Sequence, residues 1–430
     1  MKEILIVGSG AREHSLVWKA RQSSSVGNIY CAPGNPGIAE IAECIPIKAT
    51  NVEQLAKFAK QQKIDLTIIG PEDPLAFGIV DHFKSQGLRI FGPSQQAAQI
   101  ESSKIFAKNL MDEADLPTAR YKTFKPKEQG EAEDYIECEE IPIVVKQDGL
   151  AAGKGAVVAE SKSEAKKVAK EFLDIGIPII IEEFLEGYEV SLIALCNGTQ
   201  YFPLILSQDH KKAYDGDKGP NTGGLGVYPP LNFIGAEEAM KLYKIVTDPT
   251  LRALANKGIH FRGILYSNVM ITKNGPKILE HNARFGDPEC QTILPLYDGD
   301  LINLIENVLS SDFDQIPFKW NGKFGHCVVL ASRGYPSNPE TGKIIEGIED
   351  AIKIPGVLIF QAGTKIENGK LVTSGGRVLC TVGIGDTLQE AAKRSYYAAS
   401  KINFDGKHIR TDIGKQGLKF CNYDSEVDIV

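Results

Sequence analysis

Apolar and polar positions change rhythm twice along this chain. Over the first hundred residues, short solid apolar runs alternate with helical stretches. KEILIVG (2–8) breaks at GSGAREH into a helix start, and IAECIPIKATN (41–51) reads as a strand with a polar end. A helix is expected over 52–62; IDLTIIG (64–70) then breaks into Pro71, Glu72 and Asp73, and LRIFGPS (88–94) repeats the device. Strand, turn and helix in repetition predict a doubly wound parallel sheet, with ligands beyond the carboxyl ends of its strands. Those ends carry Gly8–Gly10, Arg12 and Glu13, then Pro33–Gly37, then Glu72–Pro74.

The middle of the chain mixes longer periods. A helix is expected over 101–117, with Lys104 and Lys108 on one face by their i, i+4 spacing. IPIVVK (141–146) reads as a strand, QDGLAAGKG as a glycine-rich loop, and the following residues as a returning strand. A helix over 163–173 leads to the strand IPIIIEE (177–183), and further strands are expected over 190–196 and 201–206. The stretch 207–230 lacks periodicity and is predicted to be a long loop; loops of that length inside a domain are usually functional or disordered. A helix over 236–257 precedes GILYSNVMIT (263–272), where Asn274-Gly275 marks a hairpin turn. From 326 onward short strands and glycine turns form a small β-rich domain, closed by a helix over 387–402.

The chemistry concentrates at ILEHNARFGDPE (278–289). Strand alternation puts Glu280 and Asn282 on one face and His281 on the other. A hairpin centred on residue 274 sets Asn268 opposite Glu280. Two or three oxygen donors on one face, followed by Arg284 and Asp287, suit a hard cation with a phosphate-binding arginine alongside.

GSGAREH lacks the third glycine of a dinucleotide fingerprint, because Glu13 stands in that place. Gly10 and Arg12 at a helix start suit a monophosphate, or form only a tight turn. The 149–155 loop departs from GxxxxGK[ST] and no helix follows it, so a Walker-type site is disfavoured. A hairpin flap whose backbone amides and lysines (Gly149, Gly153, Lys154, Gly155) cover phosphates fits better. Glu182, Glu183 and Leu185 at a strand end offer a slot for a base, and Glu189 could accept from ribose hydroxyls. Asp209, Lys211, Asn221, Thr222 and Gly223 in the polar stretch are candidate substrate contacts. Gly375-Gly376-Arg377 reads either as lining the nucleotide side of the cleft or as a structural turn.

Composition narrows the class. With 430 residues, 43% apolar and 24% charged, the chain suits a soluble protein of several domains. A net charge of −7 argues against a nucleic-acid surface as its main business. Eight cysteines without CxxC spacing read as reduced thiols of a cytoplasmic protein. No run approaches the ~20 apolar residues of a membrane span, and the start of the chain lacks a signal-peptide pattern.

Taken in order, GSGAREH, PGNPG, GPEDPL, IFGPS, KQDGLAAGKG, IEEFLEG, SQDHKK, GPNTGG, NARFGDPE, AGTK and SGGRVL make the chain resemble the ATP-grasp ligases over nearly its whole length. The branch it resembles joins glycine to 5-phosphoribosylamine at the expense of ATP in purine synthesis. The resemblance implies an N-terminal α/β domain (1–103), a central ATP-grasp domain (104–325, flap about 118–188) and a C-terminal β-rich domain (326–430). It implies that Lys104 and Lys146 hold ATP phosphates under the 149–155 flap. Glu182, Glu183 and Leu185 would hold the adenine and Glu189 the ribose. Glu280 and Asn282 would bind Mg²⁺ or Mn²⁺. Arg284 would act with Lys146 on the transferred phosphoryl group, and Gly10, Arg12 and Glu13 would hold the sugar phosphate. The partners implied are these small molecules alone, with no nucleic acid or membrane, in a monomer or weak homodimer.

Three departures accompany the resemblance. Asn268 stands where related enzymes often carry a second metal-binding glutamate. His281 and Ala283 replace the commoner residues of EFNCRFGD, and Lys218 stands where threonine is common.

Overall fold

A computed structural model describes residues 1–151, 155–316 and 319–420. Strands β1 (Lys2–Gly8), β2 (Val26–Pro33), β3 (Glu43–Cys44), β4 (Leu66–Ile69) and β5 (Ile90–Phe91) form a parallel sheet in the order β3-β2-β1-β4-β5. Helices cover both faces, which is why Ile4–Val7 are all fully buried and read as an unbroken apolar run. The strand expected over 41–51 shrinks to the two residues of β3, since only Tyr30 and Cys31 of β2 pair with it.

The helix expected over 101–117 is two helices, Gln95–Ser102 and Lys104–Glu113. Ser103 is extended between them, and its Oγ accepts from Phe106 N at 3.1 Å to cap the second helix. Asp148 reinforces the break by accepting from Ile105 N at 3.1 Å and from Ser103 Oγ at 3.2 Å.

Beyond it, β6 (Tyr121–Phe124), β7 (Ile143–Gln147), β8 (Ala156–Ala159) and β9 (Ile179–Glu183) make an antiparallel sheet in the order β6-β9-β7-β8. Its β7–β8 hairpin carries the glycine-rich loop. The helices Gln129–Cys138 and Lys162–Asp174 pack through Ala132, Ile136, Ala165 and Ala169 into the core of this lobe.

A second sheet follows. β10 (Tyr188–Asn197) pairs with β11 (Gln200–Pro203), so the strand expected over 201–206 ends earlier, at Pro203. The stretch 207–230 is not a structureless loop. It contains β12 (Gln208–Asp209), the hairpin β13 (Lys212–Tyr214) and β14 (Lys218–Asn221), and β15 (Gly226–Tyr228). Each is too short to show a period, which hid them from the hydrophobic pattern. β16 (Arg262–Thr272) and β17 (Gly275–Asn282) complete the second sheet in the order β11-β10-β16-β17.

In the C-terminal region, β18 (Phe324–Ala331), β19 (Val357–Gln361) and β22 (Arg377–Gly385) are joined by β12 and β15 in one sheet, ordered β12-β15-β18-β22-β19. The hairpin of β20 (Thr364–Glu367) and β21 (Lys370–Thr373) lies between β19 and β22 in sequence, and the helix Leu388–Lys401 packs on the sheet. Among the described residues no helix is long and apolar enough to cross a membrane.

Candidate active site

The lobes meet around a cavity of about 470 Å³, lined from the flap sheet, the second sheet and the segments between them. β17 forms its floor. Asn268 pairs with Glu280, while Val269 pairs with Ile278, so Leu279 is an extra residue on β17. The carbonyl freed there accepts from Lys146 Nζ at 3.1 Å, tying β7 to β17. Past the bulge, Glu280 and Asn282 project to the cavity. The His281 side chain is buried against Ser267, its Nδ1 2.8 Å from the serine Oγ, and burial holds its imidazole neutral at about 3.

Lysines and carboxylates are interleaved along the cavity. Glu182, 2% exposed, lies between Lys146 at 2.8 Å and Lys108 at 3.1 Å. It is a buried ionic centre, and Lys108 belongs to it. Burial lowers Lys108 to about 8 despite Glu182. Lys104 donates to Gly149 O at 2.8 Å, holding the flap loop. Lys211 reaches Glu280 at 3.0 Å and Glu189 at 3.7 Å, and Asn268 donates to Glu189 at 2.9 Å. Lys211 holds the Glu280 carboxyl at about 2, against the effect of burial. Phe184, Leu185, Met270, Val144 and Val158 give this part apolar walls.

Arg284 is gripped from several directions. Its Nη2 donates to Asn282 Oδ1 at 2.9 Å and meets Glu101 at 3.0 Å; its Nε lies 3.4 Å from Glu72. Burial raises the Glu101 carboxyl to about 7, with Arg284 pulling it back. At Glu72 burial acts the same way, but Arg284 and Arg12 outweigh it and bring it to about 2.

Arg377, from β22, donates to Asp287 Oδ2 at 2.8 Å and to Gly223 O at 2.5 Å. It lines the cavity and at the same time fastens the polar stretch to the Asp287 turn, whereas Gly375 and Gly376 are not among the lining. Tyr335 Oη accepts from Gly223 N at 2.9 Å, and Asn221 donates to Ala156 O of the flap sheet at 3.3 Å.

Of the residues singled out in the sequence, Arg12, Lys104, Lys146, Gly149, Gly155, Glu182, Glu183, Leu185, Glu189, Asp209, Lys211, Asn221, Thr222, Gly223, Glu280, Asn282, Arg284 and Asp287 all line this one cavity. Gly153 and Lys154 lie outside the described residues. Gly10 and Glu13 are not among its lining. The Glu13 carboxylate accepts from Gly10 N at 2.5 Å and from Arg12 Nε at 2.7 Å. It fills the space where a Cβ on Gly8 or Gly70 would fall, 2.4 and 2.0 Å from its atoms. The glycines of GSGAREH thus make room for an internal carboxylate at the helix start.

Four residues escaped the sequence reading. Glu101 and Tyr266 sit in helical and strand patterns that give no chemical signal. Glu289 lay inside the singled-out motif without a role, and Ser191 is an unremarkable strand residue. Ser191 Oγ donates to Glu289 at 3.0 Å and lies 3.1 Å from Tyr266 Oη. Burial, then the neighbouring Glu289, pushes the Asp209 carboxyl well up. Every other carboxylate lining the cavity has a lysine or arginine nitrogen within 2.8–3.9 Å. Among the described residues, Asp209 and Glu289 have no such partner.

As a cation site, the cavity offers one carboxylate (Glu280) and amide oxygens (Asn282, Asn268), hard donors that suit Mg²⁺ or Mn²⁺. Among the described residues no three His, Cys, Asp or Glu side chains gather as a cage. The protein donors fit an ion that completes its shell with substrate phosphate oxygens and water.

The chain is similar to known proteins over most of its length. Residues 2–101, 102–290 and 325–416 match the N, ATP-grasp (A) and C domains of phosphoribosylglycinamide synthetase. The chain is 44% identical over 421 residues to a phosphoribosylamine–glycine ligase of Halalkalibacterium halodurans, covering 96% of this chain and 97% of the relative. To the one from Caldanaerobacter subterraneus it is 43% identical, covering 96% and 99%. The crystal structure of the Thermotoga maritima phosphoribosylamine–glycine ligase superposes with a TM-score of 0.81 at 33% identity, over 96% of this chain and all of that one. The biotin carboxylase domain of a Hydrogenobacter thermophilus 2-oxoglutarate carboxylase shares the fold, with a TM-score of 0.70 at 14% identity over 95% and 91% of the chains.

Proposed function

The chain belongs to the phosphoribosylglycinamide synthetase family, and from that premise we propose the following reading of its cavity. The protein is a C–N bond-forming ligase that joins glycine to 5-phosphoribosylamine with ATP, giving glycinamide ribonucleotide, ADP and phosphate. Its domains are proposed to be 1–103, 104–325 and 326–430. The seven described cysteines are all free thiols, in keeping with a cytoplasmic protein, and the protein is proposed to be a monomer or weak homodimer.

An amide cannot form directly from a carboxylate, a poor electrophile. A glycine carboxylate oxygen attacks the γ-phosphorus of ATP and the bond to the β-phosphate oxygen breaks, leaving ADP and glycyl phosphate. The amine of phosphoribosylamine then attacks the acyl carbon, the C–O bond to phosphate breaks, and the amine sheds a proton. The first step brings two anions together; at 4 Å such charges repel by about 4 kcal/mol at an effective dielectric of 20. Neutralising that repulsion is the main task of the site.

Lys104 and Lys146 are proposed to hold the phosphates under the flap. Glu182, Glu183 and Leu185 would hold the base and Glu189 the ribose. Glu280 and Asn282 would hold Mg²⁺ or Mn²⁺, which when bound screens phosphate charge. Arg284 would orient the transferring group and the glycine carboxylate. Buried Glu289 and half-buried Asp209, each without a lysine or arginine in contact, would meet the ammonium of glycine; held there, the ammonium is not a nucleophile. Lys211, Asn221, Thr222, Gly223 and Asp287 would complete the substrate end. Arg12 is the member of the first turn that reaches the cavity, and it is proposed to meet the sugar phosphate; Gly10 and Glu13 would shape the turn that carries it.

The observation that carries this reading is the meeting of Lys146, Glu280, Asn282 and Arg284 in one cavity. The test is ADP release measured with glycine and phosphoribosylamine each present or withheld. Glycine-dependent release is expected; release at full rate without glycine would refute the acceptor.

A further inference from the structure

We propose that Glu101 is the positioning residue that fixes Arg284 and the end of β17 for phosphoryl transfer; this rests on the role given to Arg284 above. Glu101 lies on the helix Gln95–Ser102, outside β17, and its side chain is 8% exposed. Both its oxygens serve one short stretch of chain. Oε2 accepts from Ala283 N at 2.7 Å, and Oε1 meets Arg284 Nη2 at 3.0 Å. The same Nη2 donates to Asn282 Oδ1 at 2.9 Å. One carboxylate thereby ties together three consecutive residues, two of which are assigned to the reaction.

The need for such a tie follows from the topology. Pairing between β16 and β17 ends at Tyr266 and Asn282, so the next amide, on buried Ala283, has no ladder partner. A buried N–H without an acceptor is costly, and Glu101 supplies the acceptor. Arg284 is a long side chain with many rotamers. Fixing it before substrate arrives removes that ordering from the reaction step. Glu72 takes its Nε side at 3.4 Å, and Arg12 lies 3.9 Å from Glu72. Arg12 is also paired with Glu13 at 2.7 Å, so two guanidinium groups face three carboxylates there. Arg284 is oriented, yet it is not an isolated cation that would trap an anion too tightly to release it.

Glu101→Gln keeps the size and an acceptor for Ala283 N–H, but faces Arg284 with a neutral amide. In the full-length protein it is expected to stay folded at the assay temperature, since Arg284 keeps Glu72 at 3.4 Å, and to keep the KM for ATP within about 2-fold. The kcat for glycine-dependent ADP release should fall about 10- to 100-fold, as for a displaced catalytic group. Glu101→Asp, which restores the charge, should recover part of the loss. In an Arg284→Ala background, Glu101→Gln should change the residual rate by less than about 2-fold, because nothing is left for it to hold.

Unchanged kcat in Glu101→Gln overturns the proposal, and so does a loss that multiplies in full on Arg284→Ala. A KM for ATP rising in step with the kcat loss also overturns it. Should Glu101→Gln fail to fold, Glu101→Asp carries the same cycle. Wild-type protein that releases no ADP in response to glycine would instead sink the ligase reading, and is seen before any variant is made.

Discussion

Glu182 holds two lysines in the interior, and replacing it tests how the cavity is held together. Its carboxylate lies 2.8 Å from Lys146 and 3.1 Å from Lys108, and the residue is 2% exposed. Glu182→Gln keeps the shape and removes the charge. Unit charges 3 Å apart attract by roughly 5 kcal/mol at an effective dielectric of 20, a gross figure that mainly offsets the desolvation of all three ions. Breaking such a buried set by removing one member costs about 3–5 kcal/mol, which at about 2–4 °C per kcal/mol corresponds to a melting temperature lower by roughly 6–20 °C.

The pH dependence identifies the cause. Lys108 sits at about 8 in the wild-type fold, below its unfolded value, and loss of Glu182 lowers it further. Between a lysine's folded and unfolded pKa values the unfolded chain binds more protons, so stability rises with pH. The penalty in Glu182→Gln is therefore largest near pH 6 and shrinks as pH rises through about 8, where wild-type Lys108 also gives up its proton. Thermal unfolding of both proteins at pH 6 and pH 9 measures this. A variant within 2 °C of wild type at pH 6, or one equally weakened at both pH values, would refute the reasoning.

Arg284→Ala should leave a soluble, folded protein whose kcat for glycine-dependent ADP release is down at least about 10³-fold; wild-type turnover would contradict its role. Glu280→Gln should abolish release and the response to added Mg²⁺, measured by titrating the metal at saturating ATP. Asp209→Asn should raise the KM for glycine about 10- to 100-fold, as expected for one charged hydrogen bond, with the KM for ATP unchanged. His14 and His326 are held by burial at about 4. Both are neutral in the fold yet charge below 6.5 in the unfolded chain, so stability should fall between pH 6.5 and 4 by up to about 3 kcal/mol each. Denaturant titrations across that range check it, and a flat profile would count against the assignment.

The sequence made the parallel sheet legible because its strands are covered on both faces and read as solid apolar runs. It also made Glu280 and Asn282 legible, because strand alternation survives the bulge at Leu279, one residue earlier. What it hid has physical reasons. The break at Ser103 turns on a capping hydroxyl and on Asp148, 45 residues away, and helix periodicity carries no trace of either. β12 through β15 are two to four residues long, and only their partners reveal them as strands. Glu13 resembled a ligand contact because it stands beside glycines, yet those glycines make space for Glu13 itself. Glu101 and Glu289 look like any surface glutamate until folding brings Arg284 to one and Ser191 to the other.

The seam between the second and third regions does not run where the chain passes residue 325. β15 hydrogen-bonds to β18, and Arg410 donates to Lys212 O and to Asp217 across the same join. Shortening the gene at that point would leave β12 and β15 as an unpaired sheet edge bearing Asp209 and Thr222 nearby, prone to stick to other copies. A minimal ligase built from this scaffold should accordingly retain β18, β22 and β19, even though the phosphate-handling residues all precede them. Splitting or permuting the chain is better attempted at the exposed β20–β21 turn, where Asn368 and Gly369 bridge two strands that touch no part of the cavity.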